Sequence, residues 1–463
     1  MKRYLLISMA FPPKGAVGAL RTYRLCRYLP QMGWLPEVIT TRPWGITNRD
    51  STLLDEIPGE VRVHRTRFFD PLLAYQRRWG RKGCEAPATI VPPVGASEHG
   101  RDLGSSGRQH RPFIGRLKRI LIGMVSTPDH MIFWNLNLFV RGFRILWKNR
   151  SFEFILTSTP PHSSLLSGAL LGRLFSIPHI VDLRDPWCGR YEGERSWLRN
   201  LVERTLEKWV VRHARMVISS TEFYNRTIRE RFPECDPGKF VWITNCFEPE
   251  KFDRIEARQT DKFTICYLGI FYPANNPYPF FRALRQWLGA NPGIRPDVEL
   301  CLVGSGDPVT IQVIRDHGLE DVVRITGRVA HEKAIEETKS SDLLLLLMGV
   351  EARVSPGWVP AKLYEYLACR KPILAFGPEG EALSIVRRTG TGYTVTSDDT
   401  SGFIEILDRE YRSKRGTAAG VREAPAVLAS EMEKYSSEYT NQRFIEVFQA
   451  VSGCSAPGND GSR

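Results

Sequence analysis

The sequence predicts an α/β protein made of two consecutive Rossmann-like, doubly wound parallel-sheet domains. Three observations carry this. Short apolar runs alternate with helical patterns, once from Tyr4 onward and again from Phe263. Glycines follow the ends of several runs, at Gly269, Gly304, Gly306, Gly327 and Gly377. Between the two series, residues 248–261 are polar and charged and read as a linker. The expected division is 1–247 for the first domain, 248–262 for the linker and 263–430 for the second domain. Residues 431–451 form a helix crossing back to the first domain, and 452–463 form a disordered tail.

In chain order, residues 4–9 are an apolar run ended by Phe11-Pro12-Pro13-Lys14-Gly15-Ala16-Val17-Gly18. A helical pattern then runs to Met32, and a second strand covers 37–41, giving a βαβ unit. Residues near 72–112 are rich in Pro, Gly, Ser and Arg and open a mobile insertion spanning about 72–125. Its end is amphipathic, with Phe113, Leu117 and Leu121 on one helical face and Arg116, Lys118 and Arg119 on or beside the other. That pattern suits shallow insertion into an anionic leaflet, and equally an ordinary helix packed on the first domain. Phe133, Trp134, Leu138, Phe139, Phe143 and Trp147 read as core in preference to membrane.

Further strands fall at 154–157, 179–182, 216–219 and 241–244. A helix over 197–212 carries Leu198, Leu201, Val202, Thr205, Leu206, Trp209 and Val210 on one face. The second series has strands at 264–268, 299–303, 323–326, 343–347 and 373–376. Glu336 and Glu337 read as a solvated helix face, and residues 435–451 as the last helix.

Among 463 residues the formal net charge is +13, an excess too diluted to select a partner. No nucleic-acid recognition motif stands out, so nucleic acid is not expected. The nine cysteines are scattered without a CxxC pair, which argues against a disulfide framework and for a reducing cytoplasm. No uncharged apolar run approaches the roughly 20 residues needed to span a bilayer. The start, MKRYLLISMAFPP, reads as a strand, not a signal peptide.

Two segments carry chemistry. Gly15 and Gly18 lie in a loop where backbone N–H groups can approach a diphosphate, with Arg21 in the first turn of the next helix. Farther on, Pro360 suits a helix start, and Lys362 and Glu365 are i, i+3 neighbours. They form an exposed pair, or Lys362 meets a phosphate while Glu365 accepts bonds from a ribose diol. Local chemistry weighs the two equally.

The chain resembles glycosyltransferase family 4, with the GT-B fold, among bacterial enzymes that build cell-surface polysaccharides. The resemblance rests on FPPKGAVGALRTYRLCRYL, STPPHSS, VDLRDPW, ITNCFEPEKF, CLVGSGD, VRITGRVAHEKAIEETKSSDLLLLL and VPAKLYEYLACRKPILA, in that order. It implies two Rossmann-like domains facing a cleft, and retaining transfer from a nucleotide-sugar donor held mainly by the second domain. The acceptor is a growing surface glycan or a lipid-linked sugar. The expected location is the cytoplasm, peripherally at the inner face of the plasma membrane, with an anionic membrane surface as a partner.

The resemblance makes Glu365 the second Glu of the E-x7-E motif, which holds the ribose; Gly357 stands where the first Glu is usual. Gly15 and Gly18 match the loop facing the donor phosphates, and Gly327 to Val329 a segment meeting the nucleobase. The loop at Gly269 usually leads to an Arg and a Lys on the phosphates; here the first basic residue after it is Arg282. Either Lys362 and Arg21 then carry more of that role, or another cation enters on closure. His162 and Asp185 are the catalytic candidates, near the sugar and the acceptor hydroxyl. No DxD motif appears, and no obligatory metal or cofactor is expected, the nucleotide sugar being substrate. Two other readings stay open: a nucleotide-sugar epimerase of the same architecture, and a catalytically silent sugar-nucleotide-binding protein.

Overall fold

The apolar run at the chain start forms β1 (Lys2–Ser8). Tyr4 and Leu6 point to one face of a sheet, and Leu5 and Ile7 to the other. A strand buried on both faces is what a parallel sheet between helix layers requires. The computed structural model describes residues 1–15, 17–43, 49–68, 127–188, 196–269, 278–304, 306–349, 355–396, 398–416 and 427–453. The insertion read at 72–125, with its amphipathic stretch from Phe113, and the tail after residue 453 lie outside the described residues.

The first sheet is parallel, in the order β3 (Arg62–Thr66), β2 (Trp34–Thr41), β1, β4 (Phe152–Thr159), β5 (His179–Leu183), β6 (Met216–Ser219), β7 (Phe240–Trp242). One face packs on α1 (Val17–Tyr28), and the other on α2 (Asn135–Lys148), α3 (Ser164–Phe175) and α4 (Trp197–His213). The second sheet, also parallel, runs β10 (Val323–Ile325), β9 (Val298–Val303), β8 (Phe263–Leu268), β11 (Leu343–Leu347), β12 (Ile373–Phe376), β13 (Gly392–Val395). Both orders reverse beside their first strand, between β1 and β4 and between β8 and β11. Ligands of open α/β sheets bind outside the carboxyl ends of the strands at such a switch point.

The chain divides into one unit of Met1–Ile243 with Asn441–Arg463, and another of Thr244–Thr440. The last helix, α7 (Ser437–Ser452), therefore passes from the second unit into the first. There Phe448 packs on Tyr4, Trp34 and Phe154, with ring centroids 5.1, 5.4 and 4.5 Å away. Residues 248–262, expected as a linker, include a short helix, Pro249–Asp253, whose Phe252 sits in the core of the second unit.

Three expected packing faces differ. In α4 the side toward the sheet carries Glu203, Glu207, Val210 and Val211, while Leu201 is 54% exposed. The two carboxylates are tolerated because Arg199 and Arg231 neutralise them at 2.7 and 2.9 Å. Trp147, expected in the core with Trp134, is 64% exposed because it stands on the outer side of α2. Glu337, expected in solvent, is buried between Arg258 and Arg324 at 2.6 and 2.9 Å. Glu336 is half-buried and pairs with Lys333 at 2.8 Å.

Candidate functional site

In the second unit β8 ends at Leu268, and the chain turns at Gly269 with φ +108°. The Gly269 N–H donates to the Val303 carbonyl at 2.8 Å. A Cβ on Gly304 would lie 2.6 Å from the Gly269 carbonyl oxygen, so glycine lets the ends of β8 and β9 close on each other.

Helix α6 (Ala361–Cys369) starts after Pro360, with no side-chain cap and no acidic residue in its first turn. Its early N–H groups and positive dipole end carry no protein carboxylate, an arrangement suited to an anion. Tyr366 fixes the helix against the switch point. Its buried hydroxyl accepts from the Leu268 N–H at 2.8 Å and donates to the Leu345 carbonyl at 3.1 Å, joining β8 to β11.

Lys362 is half-buried, with Nζ 3.7 Å from the centroid of the Tyr267 ring. A Cβ on Gly269 would lie 3.4 Å from the same Nζ. Among the described residues no carboxylate pairs with Lys362. The i, i+3 pair with Glu365 is not formed. Instead Glu365, 27% exposed, accepts from His331 Nε2–H at 3.4 Å. That bond raises the His331 pKa above the ordinary imidazole value; burial and the Lys251 charge oppose the rise. His331 opens α5 (His331–Lys339), four residues after Gly327, which has φ +71°. Val329, between them, is 38% exposed. Gly357 is buried.

In the first unit the loop after β1 meets the end of β4 through Arg184. Its guanidinium donates to the carbonyls of Thr159 and Gly18. A Cβ on Gly18 would lie 2.9 Å from Arg184 Nη1, so glycine at 18 makes room for this cation. Burial lowers the Arg184 pKa, against the favourable charges of Asp182 and Asp185. Lys14, half-buried in the glycine loop before Gly15, is lowered by burial and then by the charge of Arg184. Two cations that disfavour each other beside a helix start suit an anion.

Arg21 is a correction. Expected on donor phosphates, it is 4% exposed and engaged by the protein itself. Its Nε and Nη2 donate to both oxygens of the buried Asp182 at 3.0 and 2.8 Å, and its Nη1 to the Ile243 carbonyl at 2.9 Å. The guanidinium also lies 4.9 Å from the Phe444 ring centroid. A buried bidentate pair of this kind holds the fold together.

His162 and Asp185 come together, though not side chain to side chain. His162 Nε2–H donates to the backbone carbonyl of Asp185 at 3.2 Å, and the ring stacks on Trp187 with centroids 5.6 Å apart. This bond leaves Nδ1 as the nitrogen able to accept a proton. Ser163, next along, is held by Asp129 through its N–H and hydroxyl at 2.9 and 2.7 Å.

Sequence reasoning missed His331, Tyr267, Lys14 and Arg184 as members of these sites. His331 was signalled by its place at a helix start just after the Gly327 segment. Lys14 was signalled as the one cation inside the glycine loop.

The comparisons with known proteins bear on the family and the fold. The family model described as a glycosyl transferase 4-like domain matches residues 18–246, and that of glycosyl transferases group 1 matches 248–416. No curated protein matches the chain in sequence. Among solved structures, Anabaena Alr3699/HepE in complex with UDP is 14% identical, with a TM-score of 0.58, over 97% of this chain and 100% of that one. The lipopolysaccharide outer core galactosyltransferase WaaB is 10% identical, with a TM-score of 0.56, over 97% and 99%. UDP-GlcNAc 2-epimerase from Methanocaldococcus jannaschii is 10% identical, with a TM-score of 0.53, over 97% and 100%. At such identities the likeness shows the fold alone, and this fold hosts both a transferase and an epimerase. Both family models are of glycosyltransferases, and the chain belongs to the GT-B glycosyltransferases in which a family-4-like domain precedes a group 1 domain.

Proposed function

We propose that the protein is a retaining hexosyltransferase that moves a sugar from a nucleotide-sugar donor to a growing surface glycan or lipid-linked acceptor. The carrying observation is Lys362, which has no carboxylate partner among the described residues, at an uncapped helix start one turn before Glu365. In this reading the helix start and Lys362 bind the donor diphosphate, with the Gly269 turn beneath them. Glu365 accepts from the ribose hydroxyls, and the backbone of Gly327 to Val329 meets the nucleobase. The UDP bound in the HepE structure supports a nucleoside diphosphate as the ligand class.

In the first unit, Gly15 and Gly18 with Lys14 and Arg184 form the anion-attracting loop. His162 and Asp185 orient the acceptor. The acceptor oxygen bonds to C1 as the bond from C1 to the phosphate oxygen breaks, both on one face of the sugar. The acceptor proton passes to the departing phosphate oxygen. The reaction takes place in the cytoplasm, where the acceptor is met at the inner membrane face. The WaaB likeness is in keeping with a surface-glycan role.

Product analysis tests the reading. Transfer yields free nucleoside diphosphate and an extended acceptor of unchanged anomeric configuration. A nucleotide sugar recovered as an isomer overturns it in favour of epimerisation. Donor binding with neither product overturns it in favour of a silent binding protein.

A further inference from the structure

Helices α2 and α3 pack side by side on one face of the first sheet, burying Leu138, Ile145, Leu146, Leu171 and Phe175. Their outer sides are not those of ordinary surface helices. On α2, Leu136 is 73% exposed, Val140 39% and Trp147 64%, at spacings of four and seven residues that form one stripe. On α3, Leu170 and Leu174 are 48% and 57% exposed, one turn apart. Among this apolar surface stand Arg141, Arg144 and Lys148 on α2 and Arg173 on α3, all exposed. Neither helix contains an Asp or Glu. Among the described residues none of these four cations makes an ion pair. At the end of the stripe, Arg150 lies 5.8 Å from the Trp147 ring and 5.2 Å from the Phe175 ring.

Exposed Trp and Leu interleaved with uncompensated Arg and Lys ask for a partner with apolar depth and negative charge together. We propose that the outer face of α2 and α3 docks the protein on an anionic membrane. The side chains of Leu136, Trp147 and Leu174 enter the headgroup–acyl boundary, and the cations meet lipid phosphates. A second copy of this chain fits worse, because a twofold contact would set the same cations against each other. A nucleic acid would leave the apolar stripe unused. The proposal deepens the membrane part of the reading above, and donor binding measured on the same samples separates failure of one from failure of the other.

The test is co-sedimentation of the full chain with phosphatidylcholine vesicles, with and without phosphatidylglycerol. The wild type sediments with the anionic vesicles and is released by salt. Arg141→Gln with Arg144→Gln weakens that binding about 25-fold, about fivefold for each cation removed. Leu136→Ala with Trp147→Ala weakens it about tenfold through lost apolar burial. All four positions are exposed, so unchanged melting and donor binding establish that the variants fold; Arg173→Gln alone is the milder check. Wild type that stays in the supernatant overturns the proposal. So do variants that sediment like wild type, which would move the contact to a stretch such as 113–125. A vesicle-free dimer dissolved by the Trp147 variant overturns it in favour of self-association.

Discussion

Replacing Glu365 by Ala tests the donor site most directly. Loss of a hydrogen bond to a charged group costs about 1.5–3 kcal/mol. Glu365 is 27% exposed, and its Oε1 already takes a long 3.4 Å bond from His331, so the lower half of the range applies. About 1.5–2 kcal/mol corresponds to roughly 13- to 30-fold in Kd. A thermal-shift screen of UDP, GDP, ADP and TDP first selects the nucleotide. Calorimetry then measures it and its 2′,3′-dideoxy form against wild type and variant. The wild type should lose affinity for the dideoxy ligand by the same factor, and the variant should not distinguish the two. Because Glu365 holds the His331 pKa up, the variant also lowers the His331 titration midpoint by NMR. Unchanged affinity, or a variant that still prefers the diol, would refute the ribose assignment.

Three further outcomes are expected. Arg21→Ala should cost about 3 kcal/mol in urea unfolding, the lower end for breaking a buried pair, because Asp182 loses both guanidinium bonds but keeps the Ser158 hydroxyl and the nearby Arg184 charge. A stable variant with lost donor affinity would return Arg21 to the phosphates. His162→Ala should lower turnover by more than donor affinity, with normal turnover ruling out its role. His179 is buried, and burial pushes its pKa down to about 3. The unfolded chain therefore binds a proton below about pH 6.5 that the folded chain refuses, so stability is full above that value and falls as pH drops toward 3. At about pH 5 the loss approaches 2 kcal/mol, and His179→Gln should flatten that part of the stability–pH curve. An unchanged curve would show that His179 is not held neutral.

Strands buried on both faces were legible because they are continuous apolar runs, as in Leu343–Leu347. The edge strand β13 was not, since its short Gly-Tyr-Thr-Val run buries only alternate residues. At one edge of the first sheet, β3 buries only Thr66 and reads as polar chain. Site residues divide the same way. Lys362 and Glu365 share one turn of helix, and their spacing shows in the sequence. The true partner of Arg21 does not, because Asp182 lies 161 residues away and reaches it only through the order of the first sheet. His331 escaped for the same reason, meeting Glu365 across two helices. Trp147 was placed in the core because periodicity reveals that a helix has faces but not which one meets the sheet.

The last helix has a consequence for how the protein is made. The aromatic cluster of Tyr4, Trp34 and Phe154 closes only when Phe448 joins it. The N-terminal unit therefore emerges from the ribosome with a gap in its hydrophobic interior and keeps it while the whole second unit is synthesised. Thr244–Thr440 is a continuous segment and has all its parts once it has emerged, so it can finish folding first. The unit made first thus receives its last core aromatic, Phe448, only after every residue of the unit made second is in place.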